Sequence, residues 1–123
     1  MAERWQPNAQ AVASCDELKK ITADFRVVVA RAWARWNRID RTMEHIVEQF
    51  RLEYESRIQV VSLDTDNSDF WDLLREASMI NVPAFLIFSS GQCVRTIQNA
   101  PSPPELLRQL REAVDHELSR PAA

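Results

Sequence analysis

The chain has 123 residues, enough for one domain whose folding hides roughly two-thirds of the surface of the unfolded chain. Apolar residues make up 46% and charged residues 27%, too apolar for a disordered segment, and no run approaches the roughly 18–20 apolar residues of a membrane span. The net charge of −3 argues against a general binder of nucleic acid or anionic membrane, which needs a basic surplus.

Ser14-Cys15-Asp16-Glu17 is a capping box and opens a first short helix carrying Leu18 and Ile21. The β-branched run Phe25-Arg26-Val27-Val28-Val29-Ala30 then predicts a strand. From Ile39 the period changes. Ile39, Met43, Ile46, Val47, Phe50 and Tyr54 recur at helical spacing and predict one helix ending near Ser56. Arg31, Arg35, Arg38 and Arg41 would allow that helix to begin as early as Ala30, but the valines before them exclude an earlier start.

Ile58-Gln59-Val60-Val61-Ser62-Leu63 predicts a second buried strand, and Asp64-Thr65-Asp66-Asn67 supplies turn and cap residues. Phe70, Trp71, Leu74 and Ala77 mark a third helix that must stop before Pro83, which also pushes Val82 to an extended conformation. The runs Ala84–Phe88 and Cys93–Ile97 flank Ser89-Ser90-Gly91-Gln92 and predict a hairpin around the chain's single glycine. With one glycine, further positive-φ positions are expected to be few or filled by Asn. Ser102-Pro103-Pro104-Glu105 is a second capping box with proline at the first helical position, followed by Leu106, Leu107, Leu110, Val114 and Leu118 on one helical stripe.

The expected fold is α/β in one domain spanning residues 1–123, with a core of about 12–118 and loose termini. A right-handed β-α-β unit with parallel strands precedes an antiparallel hairpin and a C-terminal helix, and helices cover both faces of the mixed sheet.

Cys15 and Cys93 are the two cysteines and make no disulfide framework. Each reads first as a small apolar residue and second as a redox-sensing thiol. His45 and His116 have no second ligand at zinc spacing, so no metal is expected. The first residues, Met1 to Pro7, hold no apolar signal segment, and the expected compartment is cytoplasmic.

Two motifs carry a resemblance. The segment Ala32-Trp33-Ala34-Arg35-Trp36-Asn37-Arg38-Ile39-Asp40 resembles the thioredoxin segment in which a strand ends at Trp-Ala-x-Trp and runs into Cys-Gly-Pro-Cys at a helix N-terminus. Val82-Pro83-Ala84 is similar to the Ile-Pro-Thr of the same family, whose proline is cis and faces the active site. The resemblance spans about Leu18 to Val114 and implies a thioredoxin-like fold.

On that alignment Asn37 replaces the nucleophilic cysteine, Asp40 replaces the resolving cysteine, and Arg38 and Ile39 replace Gly-Pro. Thiol–disulfide exchange needs an attacking thiolate and a second thiol to release the mixed disulfide, which a carboxamide and a carboxylate cannot supply. Arg31 falls where the family keeps a buried acid, and Asn99 falls where it keeps a glycine.

The resemblance therefore implies a redox-inactive, non-enzymatic member without cofactor: a protein-interaction, chaperone-like or assembly module. Its expected binding face is Trp36, Asn37, Arg38, Ile39, Asp40, Val82 and Pro83, taking a protein partner with an acidic or extended segment. The alternative is a thiol–disulfide redox or thiol-sensor protein acting through Cys93. The arginines between the tryptophans are expected on a solvated face balanced by Asp40, Glu44 and Glu48, with Glu44 paired to Arg41. A hydrolytic set of Asn37, Asp40 and His45 is excluded, because Asp40 and His45 do not share a helical face and no nucleophile lies between them.

Overall fold

The strands and helices lie close to where periodicity puts them. A computed structural model describes residues 5–121, so the expectation of loose ends falls outside the described residues for 1–4 and 122–123. The elements are β1 (Gln10–Ala11), α1 (Cys15–Asp24), β2 (Val27–Trp33), α2 (Arg38–Thr42), α3 (Glu44–Glu53), β3 (Gln59–Asp64), a 3-10 turn (Ser68–Phe70), α4 (Trp71–Glu76), β4 (Ala84–Ser89), β5 (Gln92–Gln98) and α5 (Pro103–Ser119).

The five-stranded sheet has the order β1-β3-β2-β4-β5, with β3 parallel to both β1 and β2, and β4 antiparallel to both β2 and β5. The expected β-α-β unit and hairpin are both present. Strand β2 is buried along its whole length, so its side chains divide strictly by parity between the two faces. Val27 and Val29 enter a core closed by α3 and α5 with Phe50, Leu110 and Val114. Val28, Ala30 and Ala32 enter the opposite core, with Leu18 of α1 and Leu74 of α4. Residue 31 shares parity with 27 and 29, so an arginine points into the α3 side.

Local chemistry sets the ends of the elements. Ser14 Oγ accepts from Glu17 N–H at 3.1 Å and Ser102 Oγ accepts from Glu105 N–H at 3.3 Å, so both predicted caps form. The hairpin turns on Ser90 and Gly91, with φ of 50° and 84°, the doubly positive geometry that matches strand twist.

Three expectations are corrected, and one strand forms that none of them announced. Positive φ falls mostly on serine, at Ser56, Ser78 and Ser90, and on asparagine only at Asn99, which takes the glycine-like conformation at the end of β5. The helix expected from Ile39 to near Ser56 is two, because Met43 has ψ of −10° and tightens the turn between α2 and α3. The strand β1 has no alternating pattern to announce it. It forms because Gln10 and Ala11 align with Val61 and Ser62, whose hydroxyl donates to Ala9 O at 3.2 Å. The packed part of the chain begins before residue 12, since Pro7 and Ala9 are buried.

Candidate functional site

The parallel strand β2 ends at Trp33, and the antiparallel strand β4 begins beside it, with Ala32 aligned to Ala84. This register brings the connection 34–37 and the start of α2 against Val82 and Pro83, whose peptide bond is cis. The two sequence motifs thus meet at one edge of the molecule.

Asn37 joins them. Its Oδ1 accepts from Ile39 N–H at 2.8 Å and Asp40 N–H at 3.4 Å, capping α2, while its Nδ2 donates to Val82 O at 3.1 Å. The side chain is a clasp between the helix start and the segment before Pro83. Both polar atoms of the side chain are engaged within the protein.

Arg31 and Asp40 are both fully buried, which corrects two expectations. Asp40 cannot belong to an exposed binding face, and Arg31 is not on a solvated one. Arg31 Nη1 donates to Glu44 Oε2 at 2.5 Å. Its Nη2 donates to the Asp40 backbone carbonyl and lies 3.5 Å from Asp40 Oδ1. The other Asp40 oxygen accepts from Ala34 N–H at 3.1 Å. Burial pushes the Asp40 carboxyl up to about 6, against the pull of the Ala34 N–H and the Arg31 guanidinium. A charge in an otherwise apolar strand must find a carboxylate, and the first two that follow it in the chain are Asp40 and Glu44. That is the signal by which sequence reasoning could have found this network.

Arg35 is half-buried and Arg41 exposed, each beside an aromatic ring. Arg35 lies 3.6 Å from Asp64 and over the Trp33 ring, and Arg41 lies over the ring of Trp5. Glu44 is therefore held by Arg31 rather than by Arg41, and Glu48 by Arg51 at 2.8 Å. Arg38 is exposed.

Of the remaining predicted face, Trp36 is 73% and Ile39 53% exposed, whereas Trp33 is buried. Ile39, Val82 and Pro83 line one apolar groove together with Phe85, Ile97 and Leu106. Trp36 and Asp40 do not line it.

Both cysteines are free. Cys15 begins α1, where its Sγ donates to Asp69 O at 3.1 Å and its N–H to Asp69 Oδ2 at 2.7 Å. Burial, reinforced by the Asp69 charge, raises its thiol above the usual range. Cys93 is exposed on β5, opposite Phe88, in a groove between β5 and α4 that also holds Leu73 and Thr96. Partial desolvation of its sulfur raises that thiol too, against hydrogen bonds with the Thr96 side chain and the backbone at Arg95. Cys93 is five positions along β5 from Gln98, which aligns with Ala84, so the thiol sits about 17 Å along the strand from the end of the sheet where Pro83 lies. Among the described residues no group of His, Cys, Asp and Glu is arranged to hold a metal ion, and no helix is long and apolar enough to cross a membrane.

No family model matches the chain. It is 28% identical over 94 residues to a bifunctional thioredoxin reductase/thioredoxin of Mycobacterium leprae, covering 76% of this chain and 20% of that protein. It is 33% identical over 73 residues to a thioredoxin of Porphyra purpurea, covering 59% of this chain and 66% of that one. The chain thus spans a fifth of the first relative and just under two-thirds of the second. Among solved structures, thioredoxin from Trypanosoma brucei brucei superposes with a TM-score of 0.71 at 22% identity, covering 94% of this chain and 99% of that one, a likeness of fold.

These names correct the main functional expectation. The relatives are named as thioredoxins and one as a thioredoxin reductase, so a non-catalytic interaction, chaperone-like or assembly module finds no support among them. The alternative drawn from the sequence, thiol chemistry through Cys93, accords with them better.

Proposed function

The chain belongs to the thioredoxin-like family, and from that premise we propose that it acts as a thiol–disulfide redox or thiol-sensor protein through Cys93. The observation that carries the reading is that Cys93 is the exposed thiol of the two, while the Cys15 sulfur is turned onto a backbone carbonyl in an acidic setting.

The chemistry is monothiol. The Cys93 thiolate attacks one sulfur of a partner disulfide, a bond forms between Cys93 Sγ and that sulfur, the partner's S–S bond breaks, and the released thiolate takes a proton from water. One disulfide is consumed and one is formed. Positions 37 and 40 hold no sulfur, and Cys15 sits at the start of α1, so the mixed disulfide is resolved by an external thiol. The raised thiol makes the attacking thiolate a small fraction at neutral pH, so exchange accelerates as pH rises toward the thiol's own range. That suits a slow response to accumulated disulfide better than rapid turnover.

The test is incubation of the full chain with glutathione disulfide, then intact mass spectrometry. Wild type and Cys15→Ser are expected to take up a single glutathione adduct and Cys93→Ser none, with dithiothreitol reversing the modification. Modification of Cys15 alone, or none at all after prolonged incubation at alkaline pH, would overturn the assignment.

A further inference from the structure

The buried arginine is covered by the segment 5–9, which leads into the edge of the sheet. Trp5 places its ring 5.4 Å from the Arg31 guanidinium carbon and 5.8 Å from that of Arg41, and edge-on to Trp33 with centroids 5.5 Å apart. Asn8 N–H donates to Glu44 Oε1 at 2.8 Å, while the other oxygen of the same carboxylate holds Arg31. Glu44 therefore bridges the N-terminal segment to the network that fixes the start of α2. The segment leads directly into β1, two residues at the edge of the sheet.

We propose that residues 5–9 are a releasable strap that decides whether Arg31 is buried, and that through Arg31 and Glu44 its position is coupled to the order of α2. Two features of the docked state favour a distinct lifted state. The attachment is local: Trp5 against Arg31 and Arg41, the buried Pro7 and Ala9, Asn8 N–H on Glu44, the Ser62 hydroxyl on Ala9 O and a two-residue edge strand, an element at the end of the sheet that can open before global unfolding. Among the described residues, the docked state also leaves the fully buried Arg31 Nε without a hydrogen-bond partner. Lifting the strap lets water reach that N–H, which offsets part of the lost packing. The lifted form presents a guanidinium beside Trp33 and leaves Glu44 and Asp40 to reorganise, so the anchor of α2 loosens with it. Trp5 is a positioning residue in this scheme, since it acts on α2 only through Arg31.

Native-state hydrogen exchange tests this on amides whose partners belong to the site: Ala34 bonded to Asp40, and Ile39 and Asp40 bonded to Asn37. Loss of the aromatic cover in Trp5→Ala is expected to speed exchange of these three about tenfold. Trp5→Phe should largely restore protection, and Leu18 and Thr22 of α1, on the opposite face, should stay within about twofold. No change at the three amides would overturn the coupling, and an equal rise in α1 would show that the strap contributes only to global stability. Should Trp5→Ala not fold, the wild type decides at graded low denaturant. Asn8, Ile39 and Asp40 are expected to share one opening free energy below the global value, and exchange of all three only through global unfolding would refute the strap.

Discussion

Replacing Arg31 by methionine keeps most of the side-chain volume and removes the charge. The guanidinium is fully buried and its partners are a fully buried carboxylate, Asp40, and a mostly buried one, Glu44. Breaking a buried pair by deleting one partner costs about 3–5 kcal/mol, because the other charge is left without compensation. Against a total near 5–15 kcal/mol for a domain, that is about a fifth of the stability at the least. The assay is urea unfolding of wild type, Arg31→Met, Asp40→Asn and the double variant. The double variant should recover at least half of the loss, since no buried charge then remains on Asp40. The Arg31→Met deficit should also shrink between about pH 7 and pH 5, as Asp40 takes up a proton and no longer needs the cation. A single variant within about 1 kcal/mol of wild type, or a double variant losing the plain sum, would refute the view that Arg31 is held by these carboxylates.

Four further outcomes are expected. The Asp40 carboxyl is raised in the folded state, to about 6, so its contribution to stability is fully present below the unfolded value near 4 and is lost as pH rises through about 6; over that interval wild type should lose about 3 kcal/mol relative to Asp40→Asn, and parallel profiles would count against it. Asn37→Ala removes the α2 cap and the tie to Val82 O and should lower stability by about 1–2 kcal/mol, read from a chemical denaturation midpoint. Leu110→Ala empties a fully buried position between α5 and the sheet and should cost about 2–5 kcal/mol in the same assay. Gly91→Ala meets no neighbour within 4 Å but must hold φ at 84°, so thermal unfolding should report a loss of about 1 kcal/mol, arising from the backbone alone.

What sequence by itself determined here is the part of the fold written in short-range pattern. The valine run of β2, the stripe from Leu106 to Leu118, the two serine caps and the Ser90–Gly91 turn each specify their own element, because strand and helix periods and cap bonds span only a few neighbouring residues. The order of those elements then leads to the mixed sheet. What only the tertiary structure decided are the pairings between residues brought together by register. Asp40 and Glu44 become buried partners of Arg31 because β2 turns residue 31 toward the α3 side, which neither residue announces locally. The two-residue β1 exists only against Val61 and Ser62. Trp5 covers a charge 26 positions further on because that strand returns it to the start of the sheet. The contrast between Cys15 and Cys93 is of the same kind: two cysteines equal in composition differ because Asp69 closes over one sulfur, while the edge strand β5 leaves the other in reach of solvent. Exposure and charge compensation are properties of the packed whole, and a linear pattern encodes them only through the fold it produces.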